Sequence, residues 1–221
     1  MEVPGVRSVT IGRVLSATLL AVVLTVLAAG CGSDSSDELN GITRVPPAKT
    51  ENVALPDESP ESKGKTVALK GEDGGLMLVY FGYTSCPDVC PTSMADLRLA
   101  LADLDPEQRE RVQVSMVTVD PKRDSGKVLN GYLGHFFNQG EYHSLRTEQP
   151  GKLARAEKAF GASHELGKPD AEGEYDVSHT AQIYAVDDRG VVQVEWPFQT
   201  DPELISQDLK NLLENNSNPD A

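Results

Sequence analysis

Six apolar residues, Leu76-Met-Leu-Val-Tyr-Phe81, run without interruption into the segment Gly82-Tyr-Thr-Ser-Cys-Pro-Asp-Val-Cys-Pro91. A run this short and this apolar is expected of a strand buried on both faces, which needs helices packed above and below it. Downstream, Thr92–Leu104 places Met94, Leu97, Ala100, Leu101 and Leu104 at helical spacing, with Pro91 near the first turn. Cys86 and Cys90 therefore fall at the end of a buried strand and the mouth of a helix. Unpaired N–H groups and the helix dipole there favour a thiolate.

The remaining pattern extends this plan. Thr66–Lys70 reads as a short strand before the turn cluster Gly71–Gly75, and Val112–Val119 as the next buried strand. Asp120–Ser125 is a loop in which Asp124 or Ser125 caps a helix over 127–137. A short strand at His143–Arg146, a helix at 151–160 and a polar, Gly-rich loop at 161–176 follow. Thr180–Val186 and Val191–Trp196 flank Asp187-Asp-Arg-Gly190, a hairpin signal, and Pro202–Glu214 is a last helix. Alternating strands and helices predict an α/β fold: a mostly parallel central sheet, helices on both faces, and a C-terminal hairpin supplying antiparallel edge strands. This is the ground plan of a thioredoxin-like fold. Sites in such sheets form where loops leave the C-terminal ends of strands, the position that Cys86 and Cys90 occupy.

The N-terminal part is of another kind. Met1–Arg13 is short and basic, and Val14–Gly30 is apolar and uncharged, ending in Leu27-Ala28-Ala29-Gly30-Cys31. Small residues directly before a cysteine resemble the lipobox of bacterial lipoproteins. That resemblance implies cleavage after Gly30 and a lipid on Cys31; an uncleaved signal anchor with an incidental cysteine is the alternative. Both put the globular part outside the cytoplasm, at the cell membrane. The expected organisation is thus a signal peptide at 1–30, a lipidated N-terminus and flexible spacer at 31–65, a folded domain at 66–214, and a disordered tail at 215–221. The net charge is −14 and nothing basic clusters on one predicted face, which argues against a nucleic-acid partner.

Three chemistries suit a lone Cys86/Cys90 pair. A structural disulfide closing three residues would stabilise little. A redox pair would exchange electrons with a partner's thiols, making Cys86 and Cys90 the catalytic residues. A soft-metal site would use both thiolates and an imidazole, an arrangement suited to copper, while structural zinc wants a fourth ligand that the sequence does not offer. A peroxidase would also use the thiolate but needs an arginine at the cysteine loop, and none is evident. Among the four histidines, His135 lies in a helical pattern beside Phe136 and Phe137, His143 starts a short strand, and His164 follows a helix end. His179 falls at the end of the long loop, beside the strand end that carries the cysteines, where a ligand and an ordinary structural histidine are both admissible.

Three blocks, in order, resemble the Sco/SenC family of copper-binding, membrane-anchored, thioredoxin-like proteins. They are Phe81-Gly-Tyr-Thr-Ser-Cys-Pro-Asp-Val-Cys-Pro-Thr92, then Val117-Thr-Val-Asp-Pro-Lys-Arg-Asp124 with Leu129 and Tyr132, and Tyr175-Asp-Val-Ser-His-Thr180 with Tyr184 and Asp187–Gly190. The resemblance spans about Thr66 to Leu213. It implies copper held by Cys86, Cys90 and His179. It also implies a role in building the binuclear copper site of cytochrome c oxidase, by donating copper, by reducing that site's cysteines, or both. One departure stands out: the family commonly has an acidic residue directly before the histidine, and this chain has Ser178, with Asp176 two residues further back. Asp88 and Asp120 are candidates to orient the site or meet a partner, although a helix-end charge or a loop turn accounts for each.

Overall fold

The computed structural model describes Met1 and residues 38–50, 52–62 and 64–217. The apolar N-terminal run and Cys31 lie outside the described residues, as do 218–221. From Leu39 onward the chain forms one compact unit.

Strands β1 (Ala54–Pro56) and β2 (Thr66–Ala68) pair with each other, antiparallel, away from the main sheet. The main sheet has five strands: β3 (Leu76–Gly82), β4 (Val112–Thr118), β5 (Tyr142–Leu145), β8 (Ile183–Val186) and β9 (Val192–Trp196), in the order β5-β4-β3-β8-β9. The first three are parallel, β8 runs antiparallel to β3 and β9 antiparallel to β8, so the hairpin expected at the edge of the sheet puts β8 inside it and only β9 at the edge. All seven residues of β3 are buried, which its position in the middle of the sheet requires.

Alternation along β3 sends neighbouring side chains to opposite layers. Tyr80 points to the layer holding α1 (Val89–Ala102), which presents Cys90, Met94, Leu97 and Leu101 to the core and packs against α5 (Pro202–Ser217). Phe81 points the other way and meets Phe160 at the end of α4 (Pro150–Phe160) and Tyr184 of β8, with ring centroids 5.4 and 6.3 Å away. Two more helices complete the set. α2 (Pro106–Glu110), which the sequence pattern did not reveal, is closed by a capping box between Asp105 and Gln108. α3 (Gly126–Leu133) is capped by Ser125, which accepts the Val128 N–H.

Three stretches differ from expectation. The polar loop 161–176 contains β6 (His164–Leu166), paired antiparallel with β7 (Val177–His179) as a separate two-stranded sheet. The last helix continues to Ser217, into residues expected to be a disordered tail. Residues 39–50, expected as spacer, form a strap. Ile42 bridges Glu195 and Lys49 bridges Val191, so the strap runs antiparallel along β9 and covers an otherwise open sheet edge. Its start is fixed by the buried Asp208 carboxylate, which accepts from the Asn40 and Gly41 backbone N–H groups, the Asn40 amide and the Trp196 indole at 2.7–3.0 Å. These are mostly backbone contacts, which leave no side-chain periodicity to read.

Candidate metal centre

Cys86 lies in the loop leaving β3, and Cys90 is the second residue of α1. The Cys90 N–H, one of the helix's orphan donors, points at Cys86 Sγ at 3.3 Å. Pro91 takes the third position, where an N–H would also lack a partner. Close approach of the Cys90 sulfur to the strand depends on Gly82. A Cβ there would stand 3.0 Å from Cys90 Sγ and 2.6 Å from the Tyr80 ring.

His179 arrives from β7. Its Nε2 is 3.4 Å from Cys90 Sγ, and its Nδ1 is 3.0 Å from the Thr180 carbonyl oxygen. A carbonyl only accepts, so Nδ1 carries the proton and the Nε2 lone pair faces the sulfur. Tyr80 and Tyr83 hold the imidazole edge-on, with centroids 5.9 and 5.7 Å away. The orienting contact that an acidic neighbour would supply is made here by a backbone carbonyl, while Ser178 and Asp176 are both exposed.

Together, one ligand atom each from Cys86, Cys90 and His179 lie within 4.8 Å of one another. Bonds of about 2.3 Å in a trigonal arrangement put donors about 4 Å apart, so the set fits a three-coordinate soft metal such as copper. Among the described residues no fourth histidine, cysteine or carboxylate joins the group, and a closed zinc cage is therefore not built. Cys86 is 9 % exposed and opens on a cleft of about 280 Å³ lined by Tyr83, Pro87, Val89, Val177 and Ala181, whereas Cys90 is fully enclosed.

Electrostatics at Cys90 run against the sequence expectation. Burial pushes its thiol from 9.0 up to about 12, and the Cys86 sulfur beside it acts in the same direction, so the helix end does not make it a thiolate. Burial lowers the His179 pKa, keeping the ring neutral and able to offer its lone pair.

The other histidines are placed elsewhere. His143 bonds Asp57 at 2.7 Å and Gln113 at 3.1 Å, and His135 is exposed beside Phe136. His164 is the cross-strand partner of His179 and bonds Glu157 through Nδ1. Asp88 precedes α1 without a side-chain cap bond. Asp120 is buried and engaged by Arg123 and Tyr175. Arg123 is the arginine that was not evident near the cysteines, with its guanidinium 5.7 Å from the Tyr83 ring centroid. Parallel pairing of β3 with β4 brings it there, and its Nε and Nη1 are taken by Asp120 and the Tyr175 carbonyl.

A family model described as SCO1/SenC matches residues 48–214. A "Putative copper-binding protein" of Stutzerimonas stutzeri is 31% identical over 152 residues, 68% of this chain and 70% of that one. Four bacterial relatives are matched over 65% to 70% of their length. Among solved structures, copper-bound ScoI of Bradyrhizobium japonicum is 30% identical with a TM-score of 0.60, covering 72% of this chain and 96% of that one. BsSco, a member of the Sco family of cytochrome c oxidase assembly proteins in which a disulfide switch was identified, shares the fold at 20% identity. Its TM-score is 0.58, covering 81% of this chain and 99% of that one.

Proposed function

This chain belongs to the SCO1/SenC family, and from that membership we propose that it is a membrane-tethered copper carrier. Its ligands would be Cys86, Cys90 and His179, and its task the maturation of the binuclear copper site of cytochrome c oxidase. The observation that carries the reading is the convergence of two sulfurs and one imidazole nitrogen within 4.8 Å, beside an open cleft. The thiols supply soft donors and lose their protons on loading. His179, neutral and fixed by Thr180, completes the set. A three-coordinate site at a sheet end allows an incoming ligand to approach through the Cys86 side, which handover requires. The tether rests on the Leu27–Cys31 pattern, and the oxidase role on what BsSco is described as doing.

The test is competition for Cu(I) against a chromogenic chelator, using the full-length protein in detergent. Cys86→Ser is expected to lower the Cu(I) affinity at least about 100-fold, and His179→Ala to lower the affinity for Cu(II), titrated in parallel, about 10- to 100-fold. Equal binding by wild type and both variants would sink the assignment.

A second reading, a thiol-disulfide reductase acting on a partner's cysteines, is favoured by one observation: both thiols are free and adjacent, and Cys86 lines the open cleft. The two part at His179. A reductase would keep its turnover in His179→Ala, whereas a copper carrier would not keep its loading.

A further inference from the structure

The two halves of the proposed copper centre sit on pieces of chain that no continuous sheet joins. The cysteines ride on β3 and α1, but His179 ends β7, which among the described residues pairs only with β6, three residues against three. A two-stranded ribbon of that size is not stable alone in water, so contacts outside it must hold His179 in place.

We propose that Arg123 is the brace: a positioning residue that holds the β6–β7 ribbon against the cysteine loop and so decides how well the centre retains Cu(II). This rests on the copper reading above. Arg123 leaves the loop after β4 and bonds the buried Asp120 carboxylate through Nε and the Tyr175 carbonyl through Nη1 at 3.1 Å. The guanidinium lies 3.9 Å from the centroid of the Tyr175 ring, and the Tyr175 hydroxyl donates to the other oxygen of Asp120 at 2.8 Å. Tyr175 is therefore fixed by its ring, its hydroxyl and its carbonyl, two residues before β7 begins. On the other side, the Tyr83 ring lies between Arg123 and His179, 5.7 Å from each.

The next residue completes the device. Asp124 accepts from the Thr84 N–H and hydroxyl and from Thr118, anchoring the cysteine loop to the end of β4. Two consecutive residues thus hold the two halves: Asp124 the loop with Cys86, Arg123 the ribbon with His179. A lysine could not replace the arginine, because one ammonium cannot reach Asp120 and the Tyr175 carbonyl while stacking on the ring. The effect should fall on one oxidation state. Two thiolates suffice for Cu(I), whereas Cu(II) gains most from the imidazole.

The experiment compares wild type, Arg123→Ala, Arg123→Lys and Tyr175→Phe, first without metal. In Arg123→Ala, amide exchange over 164–180 should speed up about tenfold while that of 76–82 stays unchanged. After loading, Cu(II) affinity should fall about 10- to 100-fold and the nitrogen hyperfine splitting in the electron paramagnetic resonance spectrum should disappear. Cu(I) affinity should change by less than about threefold. Arg123→Lys and Tyr175→Phe should shift in the same direction by smaller amounts, and they decide the matter should Arg123→Ala fail to fold. Unchanged exchange over 164–180 with the nitrogen signal intact would overturn the proposal, and so would equal losses of Cu(I) and Cu(II). Should the wild type bind no copper, the copper reading falls, while the metal-free exchange still decides whether Arg123 braces the ribbon.

Discussion

Cys90 shows two opposing influences on one sulfur. Its place in the first turn of α1 is plain from the sequence, and the dipole there favours charge; its complete enclosure is not plain, and it wins. A thiol whose folded-state pKa is about 12 is protonated at pH 7 and must surrender that proton to a metal. The Cys90 proton alone should therefore add about tenfold per pH unit to the rise of copper affinity across the neutral range, with proton release measurable in a weakly buffered titration. The same shift sets a stability window. The folded pKa lies above the ordinary 9.0, so the contribution is full below pH 9 and is lost as pH rises toward 12. Metal-free wild type should lose more of its urea midpoint over that interval than Cys90→Ala does. Cys86, Cys90 and His179, the proposed ligands, were legible as residue types at telling positions, but the protonation of Cys90 and His179 was not, because it depends on which layers close over them.

At the scale of elements, the long apolar strands, α1 and the β8–β9 hairpin were readable because each carries its own period or turn signal. The β6–β7 ribbon was not. His164-Glu-Leu166 and Val177-Ser-His179 are too short and too polar to show alternation, and only their pairing makes them strands. The brace from Arg123 to Tyr175 escaped for a related reason, since side-chain contacts between distant loops leave no local pattern. The end of β3 offers a test of how tightly the elements are fitted. Gly82→Ala would press a methyl group into Tyr80 and Cys90 Sγ. A loss of about 1–3 kcal/mol in urea unfolding is expected, together with weaker copper binding.

On the scale of the whole molecule, the mostly parallel sheet and the helices on both faces followed from the alternation of elements, whereas the insertion of β8 beside β3 and the strap along β9 did not. The strap begins at Asp208 and Trp196, and Trp196 pairs with Ile183, which in turn pairs with Tyr80. Those residues mark the end of the sheet that bears Cys86. The hairpin tip at Asp187–Gly190 and the turn at Gly71–Gly75 mark the other end. Any leash reaching Leu39 is thus tied to the business end. With the proposed lipid on Cys31, the nine residues to Asn40 would span about 30 Å at full stretch, a leash short enough to favour the end of the sheet with Cys86 facing the bilayer. In lipidated protein on vesicles with nickel-chelating lipids, a spin label at Glu203 should relax faster than one at Asp73, both in a Cys86→Ser/Cys90→Ser background. Equal relaxation would mean that the domain tumbles without preference. Tethered in this way, the molecule would search a shallow layer above the membrane, opening first onto acceptors whose own metal sites sit close to the lipid surface.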